Sequence, residues 1–230
     1  MKRPSFLRPY VFRRSSLEGG GARVDIDLRG GDPPFEGLDI YQRSHWRRYE
    51  FALGQLPSGA AVADLACGTG YGSILLSRRA SRVVGVDIDA AAIAAARRRY
   101  KQQRRVAFVL EDLRNLQFDS EFDVIVSFET LEHFDEDAIA GLLRSFARAL
   151  KPGGLLVYST PYQQERSPEA IELGFHETFL IDEPRAEAWM HAASFATIAF
   201  YYQDYGTHDV RSERRAAADF LIGIAERRDA

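Results

Sequence analysis

Residues 64–72 read Asp64-Leu65-Ala66-Cys67-Gly68-Thr69-Gly70-Tyr71-Gly72 and follow on an apolar run that begins at Ala60. A strand-length apolar run that ends in an acid and turns on glycines suits an open α/β sheet, whose ligands bind outside the carboxyl ends of the strands. Gly68 and Gly70 carry no Cβ, so the chain can turn tightly there and bring backbone against a ligand. Outward from this turn the same rhythm recurs. Apolar runs of strand length lie at Arg82–Asp87, Arg105–Leu110, Phe122–Phe128 and Leu155–Ser159. Runs that are apolar on both faces suit parallel strands covered on both sides.

Helical stretches separate these runs. Asp89 can cap a helix through Ile93, Ala96 and Tyr100, and Asp135 can cap another. In the second, Ile139, Leu142, Leu143, Phe146 and Leu150 share one face. Acids occupy its first turn, and Lys151-Pro152-Gly153-Gly154 stops it. Strand–helix alternation of this kind predicts a doubly wound α/β sheet. The C-terminal third changes rhythm. A helix from about Glu183 to Ala192 precedes Phe195–Gln203, and a polar loop leads to Phe220–Glu226. With no helix between them, those two runs are expected to pair antiparallel at one edge of the sheet.

Residues 1–40 have a different texture. Gly19, Gly20, Gly21, Gly30, Gly31, Pro33, Pro34 and Gly37 interrupt every periodic pattern, which predicts an arm or lid over 1–40. Residues 41–230 then form a single domain that opens with a helix through His45, Trp46, Arg48, Tyr49 and Leu53. A length of 230 residues suits one sizeable α/β domain. A net charge of −3 gives no overall attraction to nucleic acid. Apolar runs such as Phe195–Ile198 and Leu221–Ile224 fall far short of the roughly 20 residues that span a bilayer, so no membrane association is expected. The basic N-terminus lacks an apolar segment, which speaks against a secretory leader. The lone Cys67 leaves no disulfide framework and no multi-cysteine zinc site. Together these features predict a reduced, cytoplasmic protein without a metal, monomeric or homodimeric.

The glycine spacing selects among ligands. A dinucleotide fingerprint places its third glycine three positions after the second, whereas here the glycines stand at 68, 70 and 72. S-adenosylmethionine carries no phosphates and needs backbone contacts, an acid for its amino group and room for a sulfonium. Asp64 suits the amino group, with Ala66, Gly68, Gly70 and Tyr71 beside it in the turn. Asp87 ends the second strand, followed by Ile88, and can take both ribose hydroxyls or cap the next helix. After the third strand, Glu111, Asp112 and Leu113 are candidates for the adenine, Asp112 either accepting from its amino group or standing as a solvated loop acid.

VADLACGTGYGS, VVGVDID, LEDL, FDVIVSFETLEHF and LKPGGLLVYSTP occur in that order over roughly residues 45–160. This series resembles the successive motifs of class I S-adenosylmethionine-dependent methyltransferases. FETLEHF is most similar to the branch with ubiquinone-pathway, antibiotic and glycan O-methyltransferases. The resemblance implies a Rossmann-like, seven-stranded, mostly parallel sheet with a reversed last strand and helices on both faces. His45-Trp46-Arg47-Arg48-Tyr49 also resembles the H-x-x-R-Y helix of the sugar and natural-product members. That likeness implies that Arg48 or Tyr49 touches the methionine carboxylate; a surface Arg48 and a core Tyr49 is the alternative.

A hydroxyl acceptor must lose its proton, which asks for a base. Of five histidines, His133 follows the fourth strand and is the first candidate, either as base or as a loop-shaping residue. His176 is the second. Phe128, Tyr71 and Tyr162 can line a sulfonium or an acceptor. The reading is therefore a methyltransferase for a small-molecule acceptor, most simply a sugar or natural-product hydroxyl. N- or C-methylation, a protein or RNA methyltransferase, and a non-catalytic cofactor-binding protein are the alternatives. No base-flipping N-P-P-Y or D-P-P-Y motif is present to favour nucleic acid. The 1–40 arm and the 161–182 loop are expected to close over the acceptor.

Overall fold

A computed structural model describes residues 24–166, 176–215 and 217–228. Its sheet has seven strands: β1 Ala61–Leu65, β2 Arg82–Asp87, β3 Val106–Leu110, β4 Phe122–Phe128, β5 Leu150–Pro161, β6 Phe195–Gln203 and β7 Phe220–Arg227. They run in the order β3-β2-β1-β4-β5-β7-β6. The first five are parallel, and β7 lies antiparallel between β5 and β6. This is the expected Rossmann-like sheet with its antiparallel pair at one edge. Among the described residues the helices are α1 Ile40–Gln55, α2 Tyr71–Leu76, α3 Ala90–Arg99, α4 Glu136–Ala149 and α5 Glu183–Ala192. None is long and apolar enough to cross a membrane.

Side-chain oxygens start these helices. Asp89 accepts from the Ala91 and Ala92 amides and Asp135 from the Ala138 amide, as expected of caps. Asp39 and Gln42 form a reciprocal capping box at the start of α1. The strands bury both faces. Val62 of β1 faces one core cluster with α1, α2 and α3, while Ala63 and Leu65 face the other with α4 and α5. Ile26, Leu28 and Leu38, from the described part of the N-terminal arm, enter the first of these clusters. Residues 1–23 of that arm lie outside the described residues.

One strand is longer than its sequence suggests. β5 begins at Leu150 rather than Leu155, because Leu150 already pairs with Phe122 before the register shifts at Val124. The Lys151–Gly154 stop thus ends α4 and at once forms the irregular start of β5.

β7 is tightly confined at Gly223. Tyr158 stands opposite it on β5, and a Cβ added to Gly223 would fall inside the buried Tyr158 ring. Gly223→Ala is expected to cost about 1–3 kcal/mol, lowering the thermal midpoint by several degrees. Gly141→Ala, whose added Cβ meets only the end of the Arg144 side chain, at an ordinary contact distance of 3.9 Å, should leave the midpoint unchanged or raise it. Thermal unfolding followed by circular dichroism checks the pair; equal midpoints would remove the steric account.

Candidate functional site

The glycine turn sits at the carboxyl end of β1, with neighbours bonding it from both sides. Gly68 and Gly70 take φ of +55° and +85°, and Ala66 takes +62°, a left-handed value that a residue with a Cβ adopts at a cost. A Cβ on Gly70 would run into the Phe108 ring. Asp87, at the end of β2, accepts from the Gly68 amide at 2.8 Å and the Asp89 amide at 2.9 Å, so the next strand braces the turn. Asp25, from the arm, accepts from the Thr69 hydroxyl at 2.6 Å and pairs with Arg99 at 2.6 Å.

Asp64 takes a different part from the one its sequence position suggests. It is 1% exposed, and its two oxygens accept from the Tyr49 hydroxyl at 3.0 Å and the Ser73 hydroxyl at 2.6 Å. A carboxylate so enclosed holds α1 and α2 to β1 instead of facing an incoming amino group. Burial raises its pKa to about 7. Tyr49 is buried with it, its ring edge-on to Tyr71 and Phe128 at centroid distances of 5.5 and 5.1 Å. The buried Tyr71 hydroxyl has no hydrogen-bond partner among the described residues.

The ends of β2 and β3 expose apolar surface. Ile88 is 62% and Leu110 49% exposed, and Leu110 pairs in register with Asp87. The Glu111 amide donates to the Asp87 carbonyl at 3.1 Å, and Leu113 turns into the core. Asp112, read as an acceptor for the adenine amino group or as a solvated loop acid, is engaged by its own neighbour. Its carboxylate accepts from the Arg114 amide and guanidinium at 2.5–3.0 Å, and that pairing holds its pKa below the usual range.

A buried guanidinium lies on the other side of the turn. Arg48 is fully buried and none of its three nitrogens has a hydrogen-bond partner among the described residues. Glu129 approaches it to 3.5 Å and the Phe220 ring to 4.1 Å. Arg48 is therefore neither a surface charge nor a satisfied core residue. A buried cation with no hydrogen-bond acceptor leaves a large desolvation cost uncompensated.

Beyond β4 the turn Leu131–His133 places Glu132 inside and His133 outside. The Glu132 carbonyl accepts from the Glu177 and Thr178 amides at 2.8 and 3.2 Å, which brings His176 beside His133 with ring centroids 5.2 Å apart. Burial, with His133 adding to it, lowers the His176 pKa to about 4, and Gln164 bonds its Nδ1 at 2.7 Å. Burial and then the Glu129 charge push the Glu132 carboxyl well above the usual range. Tyr162 belongs elsewhere: its hydroxyl donates to Glu183 and accepts from Arg214, away from the glycine turn. The two histidines, ranked first and second among the base candidates, thus stand side by side. The sequence reading weighs His133 and His176 and passes over Glu129 and Glu132, though two acids three apart at a strand end are themselves a signal. Surface depressions beside Arg47, Glu50 and Asp209 and beside Asp123, Lys151 and Glu226 are not lined by the turn.

Residues 62–154 match a family described as a methyltransferase domain. A Mycolicibacterium smegmatis protein named probable S-adenosylmethionine-dependent methyltransferase is 35% identical over 134 residues, which cover 56% of this chain and 50% of that one. The match spans about half the length of such curated relatives. The methyltransferase solved with the Haloferax volcanii Trm112 activator has a TM-score of 0.68 at 23% identity, covering 85% of this chain and 93% of that one. The Burkholderia thailandensis 1,6-didemethyltoxoflavin-N1-methyltransferase, solved with 1,6-didemethyltoxoflavin and S-adenosylhomocysteine, has a TM-score of 0.60 at 19% identity, covering 83% and 78%. At these identities the solved structures establish a common fold.

Buried Asp64 gives the domain a pH signature. Its folded pKa of about 7 lies above the ordinary 3.8, so between those values the folded chain keeps a proton that the unfolded chain releases. Stability from this group is complete below about pH 4, falls as pH rises towards 7 and is level above. Asp64→Asn cannot ionise. Its stability relative to the natural protein should rise over that interval, by up to about 4 kcal/mol. Urea unfolding at several pH values measures this; a difference independent of pH would refute the buried carboxyl.

Proposed function

We propose that this chain, whose residues 62–154 match a methyltransferase-domain family and which resembles S-adenosylmethionine-dependent methyltransferases over about half their length, is a class I S-adenosylmethionine-dependent methyltransferase that methylates a small hydroxylated acceptor such as a sugar or a natural-product hydroxyl. The observation that carries the reading is the buried guanidinium of Arg48 beside the glycine turn, whose nitrogens have no hydrogen-bond partner among the described residues and whose ion pair to Glu129 is a long one, at 3.5 Å. A guanidinium out of water calls for a carboxylate, and the methionine moiety of the cofactor has one.

The other residues fit the same ligand. The backbone of Ala66–Gly70 offers close approach at positions where φ is positive. Asp87 stands at the β2 end for the ribose hydroxyls; a carboxylate has about four acceptor sites, so bracing the turn does not preclude the role. Exposed Ile88 and Leu110 offer apolar surface to the faces of the adenine, with Glu111 and the backbone of Leu113 at its edge. Tyr49, Tyr71 and Phe128 form an aromatic cluster against which a sulfonium is favourable. Asp64 positions Tyr49 and α2. When bound, the cofactor supplies an electrophilic methyl group.

For an acceptor, this chain's part is to hold a hydroxyl in line and to handle its proton. The polar rim of Glu129, His133, Gln164 and His176 supports a hydroxylated partner over an apolar one. His176 stays neutral at physiological pH and can hydrogen-bond a hydroxyl, while exposed His133 faces the side from which an acceptor enters.

Arg48→Met tests the reading. Losing one charge-assisted carboxylate pair should weaken S-adenosylhomocysteine binding about 10- to 100-fold in calorimetry. Stability should change little, because the desolvation cost of the buried guanidinium and its long ion pair to Glu129 are lost together. Full affinity in the variant would remove Arg48 from the site and with it the main support for this function. Turnover of labelled cofactor across sugars, phenols, amines and carboxylates identifies the acceptor class, and turnover confined to amines would overturn the hydroxyl assignment.

A further inference from the structure

We propose that Glu132, His133 and His176 bind a single divalent transition-metal ion at the mouth of the acceptor site. One potential ligand atom from each lies within 4.8 Å of the others. Two chain segments 43 residues apart are fastened together to achieve this. The Glu177 and Thr178 amides donate to the Glu132 carbonyl, and the Thr178 hydroxyl donates to the Phe134 carbonyl at 2.6 Å. The fastening leaves His176 little choice but to face His133.

A second observation points to a missing cation. Glu132 is fully buried, its Oε2 accepts from the Thr160 hydroxyl at 3.3 Å, and its Oε1 has no hydrogen-bond partner among the described residues. A buried carboxylate oxygen without a donor forfeits its hydration and gains nothing in return. Arg48 acts on Glu132 through its charge, but the carboxylate it pairs with is that of Glu129, and no hydrogen bond from it reaches Glu132 Oε1. His176 also has the support expected of a ligand. Gln164 Oε1 accepts from its Nδ1, which fixes the tautomer and leaves the lone pair on Nε2.

The donor set names the class of ion. Two imidazoles and one carboxylate suit zinc, manganese, cobalt or iron in the divalent state better than magnesium or calcium, which prefer oxygen throughout. Three protein ligands also leave coordination positions open, as in catalytic sites. The role of the ion, though not its binding, rests on the methyltransferase reading. An acceptor hydroxyl coordinated at an open position forms a metal–oxygen bond and releases its proton to water more readily, the cation lowering its pKa by several units. The histidines then act as ligands, and no protein base is needed.

The test uses the full chain, stripped of metal by a chelator and titrated with Co2+. One equivalent should bind saturably with visible absorption bands of low-symmetry cobalt, and Zn2+ should displace it. His176→Ala and His133→Ala should each weaken binding at least tenfold while circular dichroism stays unchanged, and His191→Ala, an exposed histidine on α5, should bind as the natural protein does. Absence of one-equivalent binding, or full affinity in His176→Ala, overturns the site. S-adenosylhomocysteine calorimetry on the same stripped sample separates the two ideas. Cobalt bound without it upholds the metal site and sinks the methyltransferase reading, and the reverse sinks the metal site alone.

Discussion

The carboxylate of Asp64 is the knot on which the ligand side of the domain depends. It lies near the end of β1 and receives a hydroxyl from α1 and another from α2. Those two bonds seat Tyr49 so closely against the start of α2 that only a glycine fits at position 72. From the opposite side Asp87 takes the Gly68 amide. The turn between them therefore has its shape imposed by the interior before any ligand arrives, and a preformed backbone loses little entropy on binding.

Much of this arrangement was legible in the residues. Period and capping chemistry reveal the strands and helices, because Asp89 and Asp135 act on amides two or three positions away. The glycine turn is local too. What escaped depends on where side chains point across the sheet. Asp64 reads as a ligand group until Tyr49 and Ser73, 15 and 9 residues away, are seen to enclose it. Asp112 has a partner only two residues on, Arg114, yet an acid and a base so spaced need not meet. Tyr162 is drawn off by Glu183, and Glu132 gains its meaning only when residues 176–178 return to it. A one-dimensional reading is strongest where the partner lies within a turn of helix and weakest where it lies on another strand.

Arg48 and Glu132 show how the same domain tolerates poor energetics. Each is a buried ionisable group with unmatched polar atoms, and each subtracts from folding stability. The surrounding sheet carries two apolar clusters, one on each face, which supply the surplus from which such groups can be maintained. Both stand at the carboxyl ends of the strands, where this class of sheet places its chemistry.

The position of β7 has a consequence for how the molecule is made. β6 emerges from the ribosome before β7, yet among the described residues its one strand partner is β7, which also closes the free edge of β5. Until β7 threads between them, the nascent chain exposes two unsatisfied strand edges, the kind of surface that recruits other chains. Phe220, the first residue of β7, is the ring that covers the Arg48 guanidinium. Quality control of a misassembled copy is thereby built into the topology: a chain whose sheet fails to close also lacks a finished pocket.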